Sequence, residues 1–180
     1  MAQKTRDKII TTAEKLIMQT GNSDVTLDQI AAELGLSHAA LYKHFRNKQA
    51  LWVAVATTWF NREIIKQIHV SNGTSSEEQL HEWLWDFVNA KKKTFNTNPQ
   101  MFNLNTEYID NNPAALHKVL IGAYQQINEI MDYPADDYEK AEIILAAFSI
   151  FTLPNFKETW NDEKYDERFE MLWNLIKKGL

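Results

Sequence analysis

Apolar residues recur every three or four positions along almost the whole chain, and no segment shows sustained alternation of apolar and polar residues. Spacing by three and four builds one apolar face on an α-helix, whereas alternation is typical of a β-strand. Most of the glycines and prolines lie between the periodic stretches, where they would end helices. The sequence therefore predicts an all-α protein of about nine helices.

Two helices are predicted near the start of the chain. The first runs from about Lys4 to Thr20, and the Gly21-Asn22 pair after it is a C-terminal stop signal. Thr26, followed three residues later by Gln29, has the capping-box pattern and should begin a short second helix that ends at Gly35.

A third and a fourth helix follow at once. Ser37 is suited to cap a short third helix, in which Leu41 and Phe45 point inward from positions four residues apart. Asn47 is suited to cap a long fourth helix that runs to about Ile68.

The second and third helices and the Gly35-Leu36-Ser37 turn between them form a predicted helix-turn-helix. In that motif the second helix enters the major groove of DNA. His38 can bond to a base edge, and Ala39 and Ala40 permit close approach and methyl contacts. The following donors suit phosphate oxygens: Tyr42, Lys43, His44, Arg46 and Lys48.

This stretch resembles the signature of the tetracycline-repressor (TetR) family of bacterial transcription regulators. The matching positions are Thr26, Ile30-Ala31, Leu34-Gly35, Leu41-Tyr42-Lys43-His44-Phe45, Asn47-Lys48 and Leu51. The resemblance covers about the first fifty residues. It implies a homodimeric, ligand-responsive DNA-binding regulator, usually a repressor, with an N-terminal three-helix domain and a divergent helical C-terminal domain.

The resemblance also implies roles for single residues. It implies phosphate contacts at Thr26, Tyr42, His44 and Lys48. It implies base-reading or adjacent positions at Ser37, His38, Ala39, Ala40 and Lys43. Asp28 departs from the family pattern, because some members have a basic residue there and a carboxylate does not attract phosphate.

Structural roles compete with these assignments. Thr26 can serve as a helix cap alone, Tyr42 as a half-buried packing residue, and Lys48 as an ordinary solvated lysine. The basic residues Lys4, Arg6 and Lys8 fit a solvated first turn better than a DNA-contacting arm. Lys91-Lys92-Lys93 is interpreted as a solvated face.

The second half of the chain predicts further helices. A polar turn at residues 71–76 precedes a fifth helix capped by Ser76, and another helix runs from about Leu116 to Met131. The segment from Tyr138 to Thr152 is apolar nearly all round, as in a helix buried on two sides. We expect this segment and the helix from Glu163 to Lys178 to pack against their symmetry mates in a homodimer.

Aromatic residues of the C-terminal half come from helices that line an effector cavity in proteins similar to this one. The candidates are Trp83, Phe87, Phe102, Tyr108, Tyr124 and Phe148. Such a set suits a small apolar or aromatic effector. For any one of these residues, a place in the core is the better interpretation.

Charge divides the chain. The formal net charge is −5, but residues 1–48 carry seven basic and five acidic residues, whereas residues 49–180 carry twelve and nineteen. The balances of +2 and −7 predict a DNA-binding domain at 1–48 and an acidic effector-binding and dimerisation domain at 49–180.

Several function classes are not expected. The chain has no cysteine, no second histidine at zincin spacing from His81, and no glycine-rich phosphate loop or nucleophile elbow. We therefore predict neither an enzyme nor a protein with a metal or cofactor, and the absence of an apolar stretch of membrane length favours a cytoplasmic protein. The alternative is a helical small-molecule-binding or protein-interaction module whose helix-turn-helix is vestigial.

Overall fold

Helices account for all regular secondary structure in residues 2–21 and 25–180, which are the residues that the computed structural model describes. The α-helices are α1 (Ala2–Thr20), α2 (Leu27–Leu34), α3 (His38–Tyr42), α4 (Lys48–Glu63), α5 (Ser76–Thr97), α6 (Pro99–Asn105), α7 (Pro113–Met131), α8 (Glu139–Ala147), α9 (Ser149–Thr152) and α10 (Tyr165–Ile176). A π-helical turn covers Thr106–Asp110, and 3₁₀ turns cover Ile65–Gln67, Pro154–Thr159 and Lys177–Gly179. The all-α prediction is confirmed.

The first of two compact units contains the described residues up to Asn61 together with Asn98–Leu116. Within it, α1 packs against α2 and α6, and α2 packs against α3. The core of this unit consists of apolar residues with less than a tenth of their surface exposed, among them Ile9, Ile17, Ile30, Leu41, Phe45, Trp52 and Phe102. Burial of these apolar faces holds the short helices α2 and α3, which are too short to be stable alone.

The second unit contains Arg62–Thr97 and His117–Leu180. An aromatic cluster forms its centre, where the ring of Phe169 lies 5.2 Å from that of Phe148 and 4.8 Å from that of Trp85. Trp85, which lies off the apolar stripe of α5, therefore contacts a neighbouring helix. The indole N–H of Trp160 donates to the carbonyl oxygen of Ile150 at 2.9 Å, which satisfies its buried donor.

The observed helix starts match the predicted ones where Ser37 and Asn47 cap α3 and α4. Ser37 accepts from the N–H of Ala40 and Asn47 accepts from the N–H of Ala50. Gly21 follows α1 with a φ of +67°, as a stop residue should. Asn22, the other half of that predicted stop, lies outside the described residues.

Ser75, rather than the predicted Ser76, caps α5. Its hydroxyl accepts from the N–H of Glu78, and its own N–H donates to the Glu78 carboxylate at 2.9 Å. The backbone N–H and the hydroxyl of Ser75 hold the pKa of Glu78 below its usual range. Two adjacent serines fit the same pattern, so the sequence did not distinguish them.

Three further expectations are wrong in detail. The fourth helix, α4, ends at Glu63 and not near Ile68. The predicted helix from Tyr138 to Thr152 breaks at Phe148, whose ψ of 15° separates α8 from α9. Lys91 is only 2% exposed and Lys92 places its ammonium 3.9 Å from the ring centroid of Tyr165, so Lys91-Lys92-Lys93 is not a solvated face. Only Lys93 is exposed.

Across the described residues, no helix combines the length and the apolar character that a bilayer span requires.

Candidate nucleic-acid interface

The start of α2 is fixed by a reciprocal pair of hydrogen bonds. The N–H of Gln29 donates to the hydroxyl of Thr26 at 3.2 Å, and the N–H of Thr26 donates to the side-chain oxygen of Gln29 at 2.7 Å. This is the capping box that the sequence predicted. Thr26 is exposed, so its hydroxyl lies at the protein surface while it caps the helix.

The turn between α2 and α3 depends on Gly35. This residue has a φ of 62°, in the left-handed region that favours glycine, and its N–H donates to carbonyl oxygens of the last turn of α2. The N–H of Leu36 reaches back to Ala31 at 2.9 Å. The chain therefore reverses in a few residues, and Ser37 starts α3 directly afterwards.

The short α3 has one buried face and one open face. Leu41 is fully buried, and Phe45, just beyond the helix, is 3% exposed. The exposed predicted positions are Ser37, His38, Ala39, Tyr42 and Lys43, and Ala40 and His44 are half-buried. The open face thus carries small, aromatic and cationic side chains together, as a major-groove helix requires.

His38 has two neighbours on this surface. Its Nε2 lies 3.5 Å from Oδ1 of Asp28 on α2, and its ring meets that of Tyr42 edge to face at a centroid distance of 4.8 Å. Asp28 therefore contacts the predicted base-reading side chain. Sequence reasoning identified Asp28 as unsuited to phosphate but missed this contact, because the two residues are ten positions apart.

Two side chains of α1 contact the helix-turn-helix. The Arg6 guanidinium stacks over the ring of Phe45 at 4.8 Å, and Lys15 pairs with Glu33 of α2 at 3.0 Å. Arg6 thus has a packing contact. Lys4 and Lys8 are exposed, as a solvated first turn implies.

Lys48 is the first residue of α4 and is exposed. The side chain of Asn47 accepts from the N–H of Ala50 at 2.8 Å and so fixes where α4 begins. Backbone N–H groups and an ammonium therefore meet at one helix start, an arrangement that suits an anionic group such as a DNA phosphate.

The predicted effector residues are divided between the two units. Phe102 and Tyr108 belong to the first unit, and Trp83, Phe87, Tyr124 and Phe148 belong to the second. Trp83 and Phe87 stack at 5.2 Å, whereas Phe148 joins the cluster around Phe169 and Tyr124 lies 6.1 Å from Tyr138. All of them are buried except Tyr108, which is half-buried.

Two of these tyrosines stay protonated at neutral pH. Burial, followed by the nearby Glu107 carboxylate, raises the pKa of Tyr108 to about 12. Burial, followed by Glu142, raises the pKa of Tyr124 as well. Both hydroxyls are therefore neutral at pH 7, and that of Tyr108 is hydrogen-bonded to the Glu107 carboxylate.

Two family models match the chain. Residues 9–55 match the N-terminal model described as bacterial regulatory proteins of the tetR family, and residues 76–173 match the tetracyclin repressor-like C-terminal domain. The chain belongs to the TetR family. It is therefore a DNA-binding transcriptional regulator, and the family match confirms the prediction that it is not an enzyme.

Similar proteins include regulators with known names. The chain is 26% identical over 157 residues to IcaR of Staphylococcus epidermidis, the negative transcriptional regulator of the biofilm operon icaADBC, with 86% of this chain and 81% of IcaR covered. It is 43% identical over 54 residues to the transcriptional regulator SrpR of Pseudomonas putida, covering 30% of this chain and 25% of SrpR.

Solved structures share the fold. BioQ, crystallised with its double-stranded DNA operator, has a TM-score of 0.60 at 19% identity, covering 94% of this chain and 95% of BioQ. A TetR transcriptional regulator from Rhodococcus sp. RHA1 has a TM-score of 0.62 at 15% identity, covering 98% of this chain and 97% of that regulator. At these identities the likeness establishes the fold.

Proposed function

We propose that this TetR-family regulator is a homodimeric repressor that binds a palindromic operator and leaves it when a small, largely apolar or aromatic effector binds. The observation that carries the proposal is the open face of α3, which presents His38, Ala39, Tyr42 and Lys43 beside the capped start of α4. IcaR is a negative regulator, and BioQ binds double-stranded operator DNA. Because operator DNA lies in the cytoplasm, we place the protein there.

We assign different tasks to the surface residues. Thr26, Tyr42, His44 and Lys48 contact phosphates and so set the position of α3 on the duplex. On α3 and its cap, Ser37, His38, Ala39, Ala40 and Lys43 lie at or beside base edges. Residues 1–48 form the DNA-binding domain, and residues 49–180 bind the effector and the partner subunit.

An exposed apolar surface on the C-terminal helices supports the dimer. We call this surface the 143–180 face: it consists of Ile143, Ile150, Phe156, Met171, Leu175 and Leu180, each between 38% and 72% exposed. Five of these side chains lie on four consecutive helical segments, and Leu180 follows the last 3₁₀ turn. Six large apolar side chains exceed the scattered exposure of a monomer. A second copy related by a two-fold axis would cover them. Two α3 helices about 34 Å apart would then read successive major grooves.

The effector proposal rests on the aromatic residues of the second unit. Trp83, Phe87 and Tyr124 are buried on α5 and α7, so an effector bound beside them would lie among apolar rings and a neutral tyrosine hydroxyl. An effector can change operator affinity only by its differential affinity for two conformations, and coupling of about 1 to 3 kcal/mol is typical.

Selection of bound sequences from a random pool of duplex DNA tests this function. We expect a palindromic consensus for the full-length protein. His38→Ala should change the preferred base at one symmetric pair of positions, whereas Tyr42→Phe should keep the consensus and weaken binding to every sequence. A pool without any enriched sequence would favour the alternative module with a vestigial helix-turn-helix.

A further inference from the structure

An acidic side chain lies beside the first residue of α3, the end at which a recognition helix contacts base edges. Asp28 of α2 places its Oδ1 3.5 Å from Nε2 of His38, and 81% of the Asp28 side chain and 51% of the His38 side chain are exposed. Both therefore lie at the surface to which the proposed function assigns DNA. A carboxylate there repels phosphates, so Asp28 is unsuited to anchor the DNA backbone.

Two contacts hold the imidazole ring of His38. Besides the Asp28 carboxylate, the ring of Tyr42 meets it edge to face at a centroid distance of 4.8 Å and an interplanar angle of 81°. Tyr42 follows His38 by four positions on α3, so the two rings share one face of the helix. One ring nitrogen thus faces α2, and no described residue bonds to the other nitrogen, Nδ1.

The carboxylate acts on the position of the imidazole hydrogen. A neutral imidazole carries its hydrogen on either nitrogen, and the nitrogen without it is an acceptor. The group that faces one nitrogen decides between the two tautomers. A negatively charged oxygen 3.5 Å from Nε2 attracts an N–H there and repels a lone pair. Asp28 therefore favours the tautomer in which Nε2 is the donor and Nδ1 is the acceptor.

Docking on DNA strengthens the contact between Asp28 and His38. In water, a contact between two exposed polar side chains contributes little. A duplex against α3 removes water from this surface, and the lower dielectric constant increases the electrostatic interaction. The preference for hydrogen on Nε2 is therefore largest in the bound state, in which His38 meets a base.

An acceptor at Nδ1 has two kinds of partner in the major groove. The base edges there donate only through exocyclic amines, N6 of adenine and N4 of cytosine, whereas guanine and thymine present acceptors. We infer that Asp28 is a specificity-determining positioning residue: it sets the tautomer of His38, so that His38 accepts from adenine or cytosine. This inference rests on the proposed function for the base contact, because His38 reads a base only in an operator-binding protein.

Selection of bound duplexes at about pH 8, where imidazoles are ordinarily neutral, tests the specificity. His38→Ala identifies the symmetric pair of positions that His38 reads. At that pair we expect the unmodified protein to favour adenine or cytosine on one strand about fivefold to tenfold over guanine or thymine, as one hydrogen bond allows. Asp28→Asn should reduce this preference to less than about twofold, because an amide presents both a donor and an acceptor to Nε2.

Two controls separate positioning from other effects of the charge. Glu33→Gln removes a carboxylate from the exposed last turn of α2, where Glu33 pairs with Lys15, and should leave the base preference unchanged. In the His38→Ala background, Asp28→Asn should have no further effect on that preference. If Asp28 only stabilises the start of α2, its loss would weaken binding to every sequence alike.

Several selection results would overturn the inference. These are a preference for guanine or thymine, a base preference that Asp28→Asn leaves unchanged, and equal effects of Asp28→Asn and Glu33→Gln. A change of preference that Asp28→Asn still causes without His38 would show instead that Asp28 reads the DNA itself.

The tautomer is measured without DNA. Long-range proton–nitrogen NMR correlation spectra of the full-length protein distinguish a protonated ring nitrogen from an unprotonated one, and the spectrum of His38→Ala identifies the His38 signals. At about pH 8 we expect hydrogen mainly on Nε2, with a shift toward Nδ1 in Asp28→Asn and none in Glu33→Gln. An unchanged balance in Asp28→Asn would overturn the inference. Failure of the protein to enrich any sequence would instead contradict the proposed function, and the spectra would still decide whether Asp28 sets the tautomer.

Discussion

Replacing Met171 by alanine should weaken self-association of the chain about thirtyfold. Met171 is 65% exposed and lines a groove of about 420 Å³ on the 143–180 face, together with Ile150, Phe156 and Leu175. Full burial of a methionine side chain contributes about 1.5 to 3 kcal/mol. Because about two thirds of the Met171 side chain is exposed in the single chain, about two thirds of this burial energy can still be gained on dimerisation. The methyl group of alanine would keep part of that gain, so the substitution should cost about 1 kcal/mol of association energy in each copy.

A two-fold interface contains the substitution twice, so the dimer should lose about 2 kcal/mol, or about thirtyfold in its dissociation constant. Sedimentation velocity over a dilution series measures this constant directly. Met18→Ala is the matched control, because Met18 is 47% exposed on α1, outside the 143–180 face. An unchanged dissociation constant for Met171→Ala, or equal weakening by both substitutions, would refute the assignment of this face.

Further substitutions test the motif and the core. Thr26→Ala should lower the free energy of unfolding by about 1 kcal/mol, measured by urea denaturation, and Thr26→Ser should restore most of it, because the serine hydroxyl can still cap α2. Equal loss in both variants would contradict the capping role. Tyr165→Phe should raise the free energy of unfolding by about 1 kcal/mol at neutral pH, since the buried Tyr165 hydroxyl has no hydrogen-bond partner among the described residues. Burial, followed by Asp166, raises the pKa of Tyr165. The folded state therefore holds this proton more tightly, and the associated stability is present below about pH 10 and is lost as the pH rises further. The free energy of unfolding, measured below and above about pH 10, should fall less with rising pH in Tyr165→Phe than in the unmodified protein. An equal fall in both proteins would contradict a buried, unpaired Tyr165 hydroxyl.

Capping side chains explain how much of the N-terminal motif could be predicted. Thr26, Ser37 and Asn47 each bond to a backbone N–H group three residues away, so their signal is local. Gly35 marks the turn because its left-handed backbone favours glycine. Such features are legible in a single sequence, since the interaction and its pattern lie within a few residues.

Longer-range features were not predictable in the same way. The break at Phe148 has no glycine or proline to mark it. Lys91 is buried although lysine runs are usually solvated, and the Asp28 contact to His38 depends on how α2 and α3 cross. A groove beside the segment between α4 and α5 is lined by both Ile68 and Ile130, which lie more than fifty positions apart. Tertiary packing decides each of these.

The most direct test of the account is a fluorescence anisotropy titration of the protein against DNA flanking its own gene and against a scrambled duplex, repeated at several salt concentrations. We expect the flanking DNA to bind at least about a thousandfold more tightly than the scrambled duplex. The logarithm of the specific binding constant should fall linearly with the logarithm of salt concentration, and Lys48→Ala should reduce that slope by about 2 for the dimer. Equal affinity for the two duplexes, or a slope unaffected by Lys48→Ala, would contradict sequence-specific binding through this motif.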